Sequence, residues 1–292
     1  MIQNDARLIR RFVEHWERQI PLYVEKHGHN MTARNILSPR GVGEDVAVDV
    51  VTKYEKTGEG ASVTAKGAVP KLLDMEATPV YHTVWQIAAA IRLHQKDLKA
   101  DPLSKSRLLD VALRDIHKME DNITINGLEK LGITGIVGAA RKNSNGKITT
   151  SKNHGAWSGE AGTDLYADIN DGLALLGDDV DQTDMVLLGK KNDLLHLNNL
   201  DSERRPYYEK VSGLFNKKNP NDKSWIWISS QVPAGYVYLV PKDFTVAEFV
   251  VAENPHIISY DMQPGQNYYF EVVGWVTPEI HQNVGIVEIA TG

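Results

Sequence analysis

The stretch HKMEDNITINGLEKLGITGIVG, residues 117–138, decides how the rest of the chain is read. Its first half continues an amphipathic pattern from Asp101, in which Leu109, Ala112 with Leu113, Ile116, Met119 and Ile123 recur every three or four residues. Asp101 suits a helix cap, Pro102 the first helical position and Gly127 a stop, so the spacing predicts a helix of about 24 residues, about 36 Å long. It is the longest single element the sequence predicts. The second half is punctuated by Gly127, Gly132, Gly135 and Gly138, which tolerate tight turns between this helix and whatever follows. His117, Glu120 and Asp121 stand at i, i+3 and i+4. They read either as a metal or acid–base cluster or as a solvated ion pair worth a few tenths of a kcal/mol. Glu120 and Asp121 lie roughly 100° apart around a helix, so they do not converge as a catalytic pair would, and the ion pair is the favoured reading.

Upstream, Leu8, Ile9, Phe12, Val13, Trp16 and Ile20 form an apolar face with charged residues between them, an amphipathic arm that Pro21 is expected to interrupt. Packing of that face on its own chain is favoured over packing on a neighbour. Strand-like pieces around 45–55 and 79–92 flank a polar, glycine-containing segment, 57–71, too poor in apolar residues to be stable alone. Downstream, Leu165, Ile169, Leu173 and Leu176 predict a second helix ending at Gly177. A buried strand at 184–188 leads into a short helix from about 190, and strands follow at 224–229, 235–240, 244–252, 267–276 and 284–290. The class is α+β without βαβ rhythm, which argues against a doubly wound dinucleotide fold.

Composition removes further classes. Zero cysteines exclude disulfides, thiolate zinc and a Cys nucleophile. A net charge of −6 argues against a dedicated nucleic-acid binder. No run of about 18 apolar residues suggests a membrane span, and the start lacks the pattern of a signal peptide, so a cytosolic site of synthesis is expected. GVGEDV at 41–46 has Val46 where a dinucleotide fingerprint needs glycine. His27 and His29 lack a carboxylate partner nearby, and Ser158 with His154 lacks a positioned acid. The paired aromatics Trp225, Trp227, Tyr268 and Tyr269, with Tyr207 and Tyr208 in RRPYYEK, fit strand alternation or packing as well as ligand stacking. The expectation is no catalytic residue, no cofactor and no metal. A projecting arm, a polar loop, a long helix and an α+β body instead describe a protein built for assembly.

This order of elements, with TPVYHTVWQIAAAIRLHQKDL leading into the spine helix and DMVLLGKKNDLLHL after it, resembles the Hong Kong 97-type capsid fold of tailed-virus major capsid proteins and encapsulins. The most specific part is similar to an encapsulin pattern, carried here by Glu120, Asp121, Gly127, Gly132, Ile133, Gly135, Ile136 and Gly138. The resemblance implies an N-terminal arm at 1–40, an extended loop at 41–78, a peripheral domain at 79–140 and 253–292, and an axial domain at 141–252. It implies self-assembly of pentamers and hexamers into an icosahedral shell in the host cytoplasm. Portal, scaffold or decoration proteins would be partners, and double-stranded DNA would be enclosed without sequence-specific binding and without a membrane. The alternative is an encapsulin shell around a cargo enzyme. Some such shells are covalently linked through a loop lysine; Lys66 and Lys71 stand in the loop, but no motif selects a partner. Glu120, Asp121 and the four glycines are the expected structural or assembly residues.

Overall fold

The computed structural model describes residues 2–43, 46–57, 74–142, 147–149, 156–157, 165–176, 184–201, 203–217, 222–263, 267–282 and 285–291. The arm is one helix, α1 (Ile2–His27), whose Phe12, Trp16 and Ile20 are buried at i, i+4 and i+8. Trp16 meets both Phe12 and Phe270 edge-on with ring centroids 5.4 Å apart, and Glu17 accepts the Ile257 N–H at 2.6 Å. The arm therefore packs on its own chain, as expected. Pro21 does not interrupt it. The proline lies on the exposed face, where water can serve the Glu17 carbonyl that loses its helical donor.

After α2 (Thr32–Ile36) the chain enters strand β1 (Ser38–Gly41). A long ribbon follows, β2 (Val48–Thr57) antiparallel to β3 (Asp74–Thr83), with Asp49 opposite His82 at its root. Among the described residues these two strands pair only with each other. The polar segment expected at 57–71, with Lys66 and Lys71, lies beyond Thr57 outside the described residues.

β4 (Trp85–His94) then joins a four-stranded sheet in the order β1-β9-β10-β4, with β9 at Ala247–Gln263 and β10 at Asn267–Ile280. A short helix, α3 (Gln95–Leu98), follows β4, and the long helix predicted after Asp101 lies across this sheet. A 3-10 turn, Pro102–Lys105, opens under the Asp101 cap, with Leu103 N–H 3.2 Å from its carboxylate, and α4 (Ser106–Asn126) continues from it. α4 has 21 residues, so the 26-residue arm is the longer helix. Leu109, Leu113, Ile116 and Ile123 bury its inner face, packing it against β4 and β10.

Beyond α5 (Ile136–Lys142), a five-stranded sheet runs β5-β11-β8-β6-β7. Its strands are β5 (Lys147–Thr149), β6 (Met185–Gly189), β7 (Ile226–Ile228), β8 (Tyr236–Pro241) and β11 (Val287–Ala290). Helix α6 (Leu165–Ala174) packs on it through Leu165 and Ile169, while the expected stop at Gly177 falls outside the described residues. Two strands depart from expectation. β9 runs continuously through the anticipated boundary at 252/253: β1 pairs only with residues 248–251, and Pro255 sits beside a β-bulge opposite Gly274. The last strand, β11, pairs with β8 and so belongs to the second sheet rather than to the first.

Candidate functional site

Two polar joints dominate the structure, and both take an arginine from the link between arm and ribbon. At the first, Arg34 of α2 clamps Glu120 of α4 with Nη2 2.7 Å and Nε 3.0 Å from the two carboxylate oxygens. His117 Nδ1 adds a third contact at 2.9 Å. The Glu120 side chain is only 2% exposed, so the ion pair is buried and not solvated as its helical spacing suggested. Burial alone would lift the Glu120 carboxyl, but the His117 and Arg34 hydrogen bonds and charges outweigh it and hold the carboxyl below its ordinary value. Asp121 points to the neighbouring face and accepts the Ala33 N–H at 2.8 Å. Burial pushes it up to about 6 despite that bond and those from Thr32. Tyr23 of the arm stacks on His117 with ring centroids 6.0 Å apart. The acidic helix end is thus an intrachain clamp on arm and link.

The glycines next to it divide into two kinds. Gly127 has φ +73°, and a Cβ there would meet the Ile133 carbonyl at 2.5 Å; a Cβ on Gly135 would meet the Gly127 nitrogen at 2.2 Å. The two backbones pass in contact, closed by the Leu128–Ile133 bridge, and the left-handed Gly132 turns the chain between them. Gly138 differs from expectation. It sits inside α5 with only ordinary contact to Thr134, so no turn requires it.

The second joint lies at the root of the ribbon. Arg40 of β1 bonds Asp49 of β2, Glu248 of β9 at 2.8 Å and Glu279 of β10 at 2.9 Å. His281 Nε2 lies 3.3 Å from Glu248. His82, Glu279 and His281 each bring one donor atom to within 4.8 Å of the others. Glu279 is fully buried, and burial, then the charge of Asp49, pushes it up to about 7. Sequence reading missed this cluster. The only local signal is the strand alternation that puts residues 279 and 281 on one face; the other members arrive from segments up to 239 residues away.

The remaining candidates are packing residues. Trp225 is buried and stacked on Phe215 at 4.6 Å, and Tyr268 is buried in the main core, whereas Tyr207 and Tyr208 pack on the second. Gly41 ends a strand and no helix follows it. His27 rests on Tyr23; the His29 side chain, and Ser158 with His154, lie outside the described residues. On the outer face of α4, Leu108, Val111 and Met119 are 40–46% exposed with the charged Arg114, Asp115 and Lys118 among them, and Tyr81 and Leu131 are exposed elsewhere.

No protein-family model matches the sequence, and no curated protein matches it either. Solved structures do. The capsid of a native GTA particle overlays with a TM-score of 0.66 at 13% identity, covering 89% of both chains. A virus-like particle from Pyrococcus furiosus gives 0.62 at 12% identity, over 95% of this chain and 99% of that one. A chain of Mycobacterium phage Bobi gives 0.63 at 13% identity, over 89% of each. This chain has the Hong Kong 97-type capsid fold.

Proposed function

We propose that this chain is the major capsid protein of a tailed double-stranded DNA virus, self-assembling through pentamers and hexamers into an icosahedral shell. The observation that carries the reading is the near full-length likeness, over 89% of both chains, to a subunit of a capsid. Two physical features support it. A two-stranded ribbon without a third strand is marginal in water and needs a surface to lie on. Leu108, Val111 and Met119 of α4 also stay exposed among the described residues, available to a neighbouring subunit. In this reading the arm is 1–40 and the loop 41–78, and the spine part and first sheet form the peripheral domain. The second sheet, with β11 returned to it, forms the axial domain. The role is structural and not enzymatic, without a cofactor. Portal, scaffold or decoration proteins are its partners, DNA is enclosed without sequence reading, and no membrane takes part. Shells form in the host cytoplasm. Glu120, Asp121, Gly127, Gly132 and Gly135 serve assembly by fixing the tile from which the shell is built.

A second reading, an encapsulin-type compartment around a cargo enzyme, draws support from the virus-like particle, whose chain is covered over 99% of its length. Electron microscopy of the purified protein tests both. Closed isometric particles are expected, and a strictly monomeric species at high concentration overturns both readings. Particles isolated from the native source contain DNA in the first case and a protein cargo in the second. Deleting residues 57–71 should leave a folded chain that no longer assembles; loss of folding would show that the loop belongs to the chain's own core.

A further inference from the structure

The root of the ribbon carries a donor set of which Glu279 alone already serves the fold, through its contact with Arg40. His82 ends the loop on β3, Glu279 closes β10 and His281 follows it, so a ligand held by all three would tie the loop to the body. Two imidazoles and one carboxylate are a set that holds zinc in proteins, with a fourth position left to water.

Three observations point to a cation. First, the donor atoms lie within 4.8 Å of one another. Donors about 2.1 Å from a tetrahedral zinc stand about 3.4 Å apart, so closure needs each to move inward by about 1 Å, a side-chain adjustment. Second, Glu279 is fully buried and only one of its two carboxylate oxygens meets a donor. Its Oε2 takes the Arg40 contact, while Oε1 meets no donor. The carboxylate facing it, Asp49, offers a hydrogen bond only if the pair shares a proton, a place that a cation fills equally well. Third, Asp49, Glu248 and Glu279 converge on one guanidinium. Three negative charges against one leave a surplus of two, which a divalent ion cancels while Arg40 stays in place. Glu248, already 3.3 Å from His281 Nε2, would hold that ring from behind in the manner of carboxylates behind metal-bound histidines. A cleft of about 190 Å³ lined by Tyr81, His82, Thr277 and Pro278 reaches one of the three ligands, His82, from solvent.

We propose that His82, Glu279 and His281 bind one first-row divalent ion of the zinc class and so fix the direction in which the extended loop leaves the body. The inference stands apart from the shell reading, since it concerns residues of one chain. The test uses untagged full-length protein stripped with a chelator and titrated with Zn²⁺ by calorimetry, then with Co²⁺ to read the visible d–d bands of a low-coordinate site. One equivalent per chain is expected. His82→Ala, His281→Ala and Glu279→Gln should each weaken binding more than about tenfold, whereas His256→Ala, at the separate pair with Glu253, should not change it. A second measurement needs no variant. Histidine C2 hydrogen exchange on the wild type, read by mass spectrometry, should slow at His82 and His281 on adding Zn²⁺ and stay unchanged at His256. Absence of saturable binding near one equivalent overturns the proposal and leaves the shared proton in its place. So does binding that survives all three variants, or exchange that is unaffected at His82 and His281.

Discussion

Replacing Arg34 with methionine tests whether the clamp at the end of the spine helix governs the fold of the link. Methionine keeps most of the side-chain volume over Phe249, on whose ring the guanidinium rests at 5.9 Å, but removes both bonds to Glu120. Glu120 is then left 2% exposed with His117 as its remaining partner. Breaking one side of a buried pair costs about 3–5 kcal/mol. For a chain of this size that lowers the melting temperature by roughly 6–10 °C. The pH dependence carries a sign. In the wild type the Glu120 carboxyl sits below its ordinary value, so its stabilisation is present above the unfolded pKa and is lost as pH falls through the folded one. Without Arg34 burial dominates and the folded pKa rises above the unfolded value, so the variant loses stability as pH climbs out of the acid range. The gap between the two proteins therefore widens from pH 4 to 7. Thermal unfolding followed by circular dichroism, at matched assembly state because neighbours add apparent stability, reads both effects. Arg34→Met with Glu120→Leu should recover much of the loss, since a buried pair replaced as a unit leaves no orphan charge. A gap below about 1 kcal/mol, constant with pH, would mean the pair behaves like a surface ion pair and would refute the reasoning.

Asp121 predicts the opposite slope to wild-type Glu120. Its folded pKa of about 6 lies above 3.8, so its contribution costs nothing below pH 4 and grows to about 3 kcal/mol of destabilisation above pH 6. Asp121→Asn, which still accepts the Ala33 N–H, should match the wild type at pH 4 and exceed it at pH 7.5 in urea unfolding. A parallel pH profile for the two proteins would rule this out. Among the glycines, Gly135→Ala should destabilise strongly, because the new Cβ meets backbone atoms of residues 125–127 at 2.2–2.7 Å that have no room to yield. Gly138→Ala should instead be neutral or add up to about 1 kcal/mol through helix propensity. Equal melting temperatures for the two alanine variants would sink the distinction.

The helices, most strands and the α+β class were legible because each rests on local periodicity. Phe12, Trp16 and Ile20, or Leu109, Leu113 and Ile116, announce their buried faces within a few turns. Pro21 misled because its cost depends on which face it occupies, and exposure is a tertiary fact. The resemblance sets β11 with the peripheral part, 253–292, but a four-residue strand takes its place from the strand it meets, here β8 of the second sheet, and not from its own residues. Gly138 looked like its neighbours in sequence, yet only Gly127, Gly132 and Gly135 are shaped by φ or by backbone approach. The polar joints were hidden for a different reason. Arg34 finds Glu120 across 86 residues and Arg40 finds Glu248 and Glu279 across more than 200, so no window along the chain contains both partners.

On the proposed shell function these polar joints bear on assembly. The link from Met31 to Gly41 connects arm, body and loop, and its buried apolar side chains, Met31, Ala33, Ile36 and Leu37, supply non-directional contact that tolerates small rotations. Bidentate and forked arginine contacts do not, since they hold only over a narrow range of angles. On the proposed shell function, an angular error at this link would move the far end of the β2–β3 ribbon by an amount that grows with the ribbon's length. A ribbon of ten residues per strand reaches about 33 Å, so a 10° error displaces its tip by about 6 Å, enough to miss a neighbouring subunit's contacts. The Arg34→Met, Glu120→Leu double variant thus separates stability from accuracy. It should recover much of the wild type's stability and yet give a broader distribution of particle sizes and open shells by electron microscopy. Particles as uniform as the wild type's would show that apolar contact alone sets the angle, and that the buried arginines contribute to folding but not to the accuracy of assembly.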